Sequence, residues 1–191
     1  MKVNIGVSNR HVHLTKEHAD ILFGCELTKL RDLVQKGQYA CNELVIIKTE
    51  KSEIPNVRVL GPTRSYTQVE ISKTDAYKLG LNPPIRTSGE LEGSESITII
   101  GPKGQVTIDF GCIIANRHIH MNPETAHELG FIDNQRVQVK IDTIKGGVLD
   151  NVHVKVTEDG VLELHLDTDD ANAFFIDKNT QGEILDGNQN M

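Results

Sequence analysis

The chain has 191 residues, a formal net charge of −7 and three cysteines without a Cys-x-x-Cys pair. This length can bury a core without disulfides, and the acidic balance, with no lysine and arginine cluster, argues against nonspecific nucleic-acid binding. No apolar stretch reaches the length of a membrane span and no signal core precedes the first strand-like residues, so we expect a cytoplasmic protein that does not bind membranes.

The predicted elements are mostly short strands between turn signals such as Gly-Pro and Asp-Gly. β-branched residues alternate with polar ones in the segments Leu44–Thr49, Val57–Leu60, Gln68–Ser72, Ser96–Ile100, Gln105–Asp109, Val137–Ile141, Val152–Thr157 and Val161–Leu166. Helices are predicted at Lys16–Phe23 after the cap Thr15, near Glu26–Gly37, at Asp75–Leu79, and at Pro123–Leu129 after the cap Asn122. Strands at this spacing favour barrels or sandwiches.

The sequence also repeats itself. Asn9-Arg10-His11-Val12-His13-Leu14 recurs 107 residues later as Asn116-Arg117-His118-Ile119-His120-Met121. A weaker echo, 95 residues apart, joins the segment that begins at Glu70 to the one that begins at His165. We therefore expect a mainly β protein with short helices and two similar β-barrel domains, packed face to face. The predicted domains are 1–88 and 89–191, with a boundary near 82–95 and segments that can exchange between the barrels.

The repeated His-x-His points to metal binding. Residues i and i+2 of a strand face the same side, whereas a helix would separate the two rings by roughly 200°. Imidazole and carboxylate ligands suit zinc or another late divalent metal, and catalytic zinc usually takes three protein ligands. The predicted ligands are three from each half: His11, His13 and Glu70, and His118, His120 and His165.

Other candidates are weaker. A single histidine is usually a hydrogen-bonded or solvated residue, so His18, His127 and His153 are not assigned to a metal. Glu17 and Glu124 extend the pattern to His-x-His-x-x-x-Glu, as in a cupin, but they follow helix caps, where the helix dipole favours a negative charge. Cys112 is predicted to be buried rather than nucleophilic.

An anion site is predicted beside the metals. Arg64 lies six residues before Glu70, and its guanidinium matches phosphate oxygens in a bidentate way. The segment from Arg86 to Gly89 resembles a short anion-binding turn. Arg10 and Arg117 are expected either to orient the strands or to bring positive charge to the site.

These motifs together resemble a known family, the zinc-dependent phosphate acyltransferases of the propanediol-utilisation type, or phosphate propanoyltransferases. The resemblance covers nearly the whole chain in order. It rests on Val7–Leu14, Gly61–Arg64, Gln68–Glu70, Arg86–Gly89, Asn116–Met121 and Leu164–Asp169.

The resemblance implies a pair of β-barrels with a dinuclear zinc site, two zinc ions per chain, at the domain interface. The family's metal ligands carry over onto the six residues named above, its phosphate-binding arginine onto Arg64 and its active-site serine onto Ser88. The implied reaction is reversible transfer of a propanoyl or acetyl group between coenzyme A and phosphate. Microcompartment members carry an amphipathic N-terminal extension, which this chain is expected to lack. Whether the chain forms a homo-oligomer stays open.

Two other functions remain open on the residues alone. A dinuclear metallohydrolase would use the same histidines, with hydroxide as the nucleophile. A non-catalytic zinc-binding barrel would hold structural metals in closed four-ligand spheres.

Overall fold

The structure is a computed structural model, and it describes residues 1–185. Strands predominate, and four short helices lie between them. In chain order the elements are β1 (Lys2–Ser8), β2 (His11–His13), α1 (Lys16–Phe23), β3 (Lys29–Asp32), β4 (Tyr39–Lys48), β5 (Glu53–Gly61), β6 (Gln68–Glu70), α2 (Lys73–Leu79), β7 (Ile85–Arg86), β8 (Glu95–Ile100), β9 (Gln105–Ala115), β10 (His118–Met121), α3 (Pro123–Leu129), β11 (Arg136–Ile141), β12 (Gly147–Val156), β13 (Glu163–Asp167), α4 (Thr168–Ala173) and β14 (Gln181–Leu185).

The chain divides into two compact units. One, the continuous unit, is Asn9–Ala115; the other, the split unit, combines Met1–Ser8 with residues 116–185. Each unit has its own cluster of buried apolar side chains. Two separate hydrophobic cores are consistent with two domains, each of which buries its own apolar surface.

The continuous unit is a closed six-stranded barrel. Its strands pair in the order β4-β5-β2-β6-β9-β8, and β8 closes the ring by pairing with β4. Strands β3 and β7 extend the sheet from β4 and β9. Closure leaves the barrel strands without the unpaired edges that would otherwise invite association.

The split unit repeats this arrangement. Its barrel runs β11-β12-β10-β13-β1-β14 and closes from β14 to β11. In both barrels the His-x-His strand pairs parallel with one neighbour and antiparallel with the other. The strand before each His-x-His strand belongs to the other unit, because β1 crosses over to complete the split unit and β9 completes the continuous unit.

Most element predictions hold, and the mainly β fold with two barrels and short helices is confirmed. Helices α1 and α3 have the predicted bounds, because Thr15 and Asn122 accept hydrogen bonds from backbone N–H groups of the first turn and a left-handed glycine ends each helix. Helix α2 starts at Lys73, two residues earlier than predicted, because Ser72 caps it. Helix α4, capped by Asp167, was not predicted.

The predicted helix near Glu26–Gly37 is wrong. This stretch contains the exposed strand β3, which pairs with β4. Leu30 and Val34 remain exposed at 50% and 55%, so a helix here would have had little apolar surface to bury. Packing on an apolar face, rather than propensity, supplies most helix stability in proteins.

The predicted boundary near 82–95 lies inside the continuous unit. Proline and glycine in this stretch form a loop rather than a linker, because strand β7 pairs with β9 and the Ile114 N–H donates to the Pro84 carbonyl. The chain passes between units at residues 8–9 and 115–116 instead. No helix within residues 1–185 is long and apolar enough to cross a membrane.

The crossover of β1 predicts a local effect of mutation. Val3 is 2% exposed in the core of the split unit, whereas Val7 is 46% exposed on the same strand. Replacing Val3 with alanine removes two buried methyl groups, which should cost about 1.5–3 kcal/mol of stability. Hydrogen exchange should rise within residues 116–185 and stay unchanged in 9–115.

The matched control is Val7→Ala, which should change little. A rise confined to residues 9–115 in Val3→Ala would contradict the assignment of β1 to the split unit.

Candidate active site

Each barrel brings its three predicted ligands together through strand register. On adjacent antiparallel strands, His11 lies opposite Glu70 and His118 opposite His165. Directly opposed residues have Cβ atoms about 5 Å apart, and the second histidine of each pair shares the face by alternation. Candidate ligand atoms of the three residues lie within 4.8 Å of one another in each unit. The six predicted ligands thus form two three-residue clusters, one in each unit.

The cluster of the continuous unit, His11, His13 and Glu70, contains two imidazoles and one carboxylate. His11 Nε2 lies 3.4 Å from Glu70 Oε2, and His13 Nε2 lies 3.9 Å from Glu70 Oε1. Both histidines are buried. Their rings meet edge to face, with centroids 5.1 Å apart. Two nitrogens and a carboxylate that converge in this way match the donor set of a catalytic zinc site.

Burial and charge set the protonation of these histidines. Burial opposes protonation of His11, but the Glu70 carboxylate outweighs it and raises the pKa of His11. Burial, with the charges of His11 and Arg64, lowers the pKa of His13 well below its usual range. A neutral imidazole is the form that binds a metal.

The cluster of the split unit, His118, His120 and His165, contains three imidazoles. His118 Nε2 and His120 Nε2 are 3.0 Å apart. The His165 ring lies 5.1 Å from the His118 ring and 4.6 Å from the His120 ring, measured between centroids. Three imidazoles are a known catalytic zinc set, so this cluster also fits a late divalent metal by donor type and spacing.

The asparagine of each Asn-Arg-His-x-His segment fixes the tautomer of the first histidine. His11 Nδ1 is 2.8 Å from the Asn9 carbonyl oxygen, and His118 Nδ1 is 2.7 Å from that of Asn116. A carbonyl oxygen can only accept, so Nδ1 carries the proton and Nε2 of the neutral ring carries the lone pair. A backbone carbonyl in this role is common behind histidine ligands.

The arginine of each segment clamps the strand to the helix that follows the third ligand. Arg10 Nε donates to Asp75 Oδ2 at 2.8 Å, and Arg117 donates to both carboxylate oxygens of Asp170 at 2.7 Å. Asp75 is 4% exposed and also receives the Ser72 N–H in a capping box. The arginines therefore orient the strands, which was one of the two predicted roles.

Arg64 and Ser88 also come together, in the continuous unit. Arg64 Nη1 donates to Ser88 Oγ at 3.2 Å and to the Tyr66 hydroxyl at 3.3 Å. The Arg64 N–H donates to the Leu14 carbonyl, directly after the His-x-His strand. The positive charge of Arg64 opposes protonation of both His11 and His13. The Arg64 guanidinium and the two hydroxyls that it contacts thus lie beside the first ligand cluster.

The turn that carries Ser88 depends on Gly89. Its φ is +100°, a conformation that side chains rarely adopt, and an added Cβ would lie 3.2 Å from the Tyr66 hydroxyl. The Gly89 N–H donates to Gln68 Oε1 at 2.8 Å. The Arg86 guanidinium donates to the backbone carbonyls of Ile85 and Glu92, so Arg86 stabilises this loop.

Three residues that the sequence interpretation set aside, Glu17, Glu124 and His18, belong to neither ligand cluster. Glu17 and Glu124 are exposed in the first turns of α1 and α3 and belong to neither ligand group. His18 Nδ1 bonds the Thr67 hydroxyl. Burial raises the pKa of the Cys112 thiol to about 12, so the thiol is protonated at neutral pH and a poor nucleophile.

Four polar residues at the site were not assigned a role from the sequence: Tyr66, Gln68, Glu163 and Asp170. Gln68 and Glu163 each lie two residues before a third ligand, so strand alternation alone places them on the ligand face. The alternation and the 95-residue offset were both visible in the sequence and could have identified this pair.

Comparison with known proteins identifies a related family. A sequence profile of the phosphate propanoyltransferase family matches residues 4–177. The chain belongs to this family. It is therefore an acyltransferase.

The alignments with similar proteins cover most of this chain and most of each relative. A phosphate propanoyltransferase of Thermotoga maritima is 52% identical over 88% of this chain and 82% of its own. One of Lachnoclostridium phytofermentans is 49% identical over 96% and 85%. One of Rhodobacter capsulatus is 48% identical over 90% and 81%.

The Arg10 clamp predicts a stability effect. Arg10→Ala leaves the buried Asp75 carboxylate without its guanidinium partner and should cost about 1–3 kcal/mol, measured by chemical denaturation. Lys16→Ala is the control, because the Lys16–Asp20 pair is exposed and should contribute nothing measurable. Equal losses in both variants would contradict a clamp.

Proposed function

We propose that the protein transfers a propanoyl or acetyl group reversibly between coenzyme A and inorganic phosphate, with one zinc ion in each three-ligand cluster. The observation that carries the proposal is the Arg64–Ser88 pair beside a cluster of two histidines and a glutamate. Membership in the phosphate propanoyltransferase family supports the same reaction. Zinc would supply positive charge to phosphate oxygens and to the oxyanion that develops on the thioester carbonyl.

Arg64 is proposed to bind phosphate. Its guanidinium can form two parallel hydrogen bonds to phosphate oxygens, and its backbone is held against the His-x-His strand. A phosphate held here lies next to the first cluster and is oriented for attack. Holding the two reactants together can remove on the order of 7–11 kcal/mol of the barrier.

Ser88 is proposed to donate a hydrogen bond rather than attack. Its Oγ receives hydrogen bonds from Arg64 Nη1 at 3.2 Å and from Gln68 Nε2 at 2.9 Å. These two bonds use both lone pairs of the hydroxyl, which leaves its proton available to a substrate oxygen. A serine nucleophile would need a base to take that proton, and the two neighbours that contact Oγ are both donors.

The proposed transfer is direct. A phosphate oxygen attacks the thioester carbonyl carbon and forms a C–O bond. The Ser88 O–H, with the positive charge that zinc would supply, stabilises the tetrahedral oxyanion. The C–S bond then breaks and releases coenzyme A as the thiolate. In reverse, the thiolate attacks the acyl phosphate and phosphate leaves. No acyl-enzyme is formed.

The proposal requires metal. The protein as purified should contain two zinc ions per chain, and removal by a chelator or the change His118→Ala should abolish phosphate-dependent release of coenzyme A from acetyl-CoA and propanoyl-CoA. Readdition of zinc should restore the activity of the chelated wild type. Full activity without zinc, or in His118→Ala, would disprove the mechanism.

Arg64 and Ser88 should be separable by kinetics. Arg64→Ala should raise the KM for phosphate and lower kcat/KM by about 10²-fold, while Ser88→Ala should lower kcat by about 10²–10³-fold, as for loss of an oxyanion donor. Zinc content should stay at two in both. The exposed Arg31→Ala serves as the control and should match the wild type.

Initial-rate patterns test the direct transfer in the same experiments. Intersecting lines are expected, whereas parallel lines would indicate an acyl-enzyme. Release of coenzyme A without phosphate would favour a metallohydrolase instead.

A further inference from the structure

Gln68 and Glu163 occupy matching places in the two barrels. They are 95 residues apart, the same offset that joins Glu70 to His165. Each is the first residue of the strand that carries the third ligand and lies two residues before that ligand. On a strand this spacing puts Gln68 on the face of Glu70 and Glu163 on the face of His165. Both are buried, at 0% and 9% exposure.

The Gln68 amide has a partner for each of its polar groups. Oε1 accepts the Gly89 N–H at 2.8 Å, which fixes the orientation of the amide because only the oxygen can accept. Nε2 then donates to Glu70 Oε1 at 2.5 Å and to Ser88 Oγ at 2.9 Å. Gln68 therefore links a carboxylate ligand to the proposed oxyanion donor.

Glu163 has the opposite chemistry. Its Oε2 lies 2.6 Å from His165 Nε2, in the range of a charge-assisted hydrogen bond. An ionised carboxylate can only accept, so the imidazole donates its Nε2 proton and the neutral ring keeps its lone pair on Nδ1. A carboxylate behind a histidine ligand orients the ring and makes it a stronger base.

Each cluster thus has one carboxylate, but in a different place. In the continuous unit the carboxylate is Glu70 itself, and an amide donor holds it. In the split unit all three candidate ligands are imidazoles, and the carboxylate is Glu163 behind one of them. In each cluster the residue two places before the third ligand suits that ligand. It is a donor to the Glu70 carboxylate in one cluster and an acceptor from the His165 ring in the other.

We propose that Gln68 and Glu163 are positioning residues for the two zinc ions, Gln68 through Glu70 and Glu163 through His165. The inference rests on the proposed function, since it needs zinc in both clusters. Gln68 acts as a donor to a carboxylate and Glu163 as an acceptor from an imidazole. Loss of either should weaken zinc binding in its own cluster and leave the other unchanged.

Zinc dissociation constants, measured by competition with a chromophoric chelator, test this without reference to activity. Glu163→Met keeps the side-chain length but cannot accept, and should weaken one of the two zinc ions by about 10–100-fold. Glu163→Gln still offers an oxygen to the ring N–H and should stay within about threefold of the wild type. Gln68→Met should weaken the other zinc ion and also lower kcat through Ser88.

Two backgrounds assign each effect to a cluster. Glu163→Met is measured in His11→Ala, which disables the first cluster, and Gln68→Met in His118→Ala, which disables the second. Glu158→Ala removes an exposed glutamate of the split unit and is the control for loss of charge. Thermal unfolding of each apoprotein shows whether the variant is folded, and the conservative Glu163→Gln provides the comparison if Glu163→Met is not.

The outcomes separate the inference from the proposed function. A wild type that binds no zinc disproves the proposed function. A wild type that binds two zinc ions, with both methionine variants binding as tightly, overturns the positioning role. The role of Glu163 as an acceptor is also overturned if Glu163→Gln loses as much affinity as Glu163→Met.

Discussion

Both clusters depend on one constraint of strand register. The first histidine of each His-x-His strand lies directly opposite the third ligand on the neighbouring strand. His11 opposite Glu70, and His118 opposite His165, bring three ligand side chains to one face in each barrel. A slip of one residue would turn the third ligand to the other face of its strand. The fully buried Val12 and Ile119 between the histidines oppose such a slip, because they face the apolar core and would lose that burial. The core and the candidate metal sites therefore specify the same register.

The two barrels share a backbone plan but carry different polar groups. Between β5 and β6 the continuous unit has Arg64 and Tyr66, where the split unit, at the same 95-residue offset, has Asp159 and Val161. One repeat thus has a cation and hydroxyl groups suited to an anion, and the other an acidic residue. Similar ligand geometry with unlike surroundings is consistent with the proposed function, in which phosphate is bound by Arg64 in one unit alone.

Local patterns predicted much of the fold and of the candidate site. The His-x-His strands, the caps of α1 and α3, and all six candidate ligands depend on alternation, capping side chains and a repeat, which are readable over a few residues. Alternation and the 95-residue offset mark the places of Gln68 and Glu163, but the hydrogen bonds of Gln68 to Ser88 and Gly89 depend on the fold. The helix assigned near Glu26–Gly37 was wrong because whether an apolar face is covered depends on tertiary packing. The crossover of β1 depends on β13 and β14, which are far away in the sequence.

That crossover also orders events when the chain is made. The β1 segment, residues 2–8, leaves the ribosome before its partners β13 and β14, which lie within residues 163–185, so β1 stays unpaired until those strands emerge. The continuous unit needs nothing beyond Ala115 and can close earlier. Until those partners emerge, β1 remains an unpaired strand, the kind of exposed segment that favours aggregation or pairing with another chain. Early closure of residues 9–115 does not shorten the time for which β1 is unpaired, because that time ends only when β13 and β14 emerge.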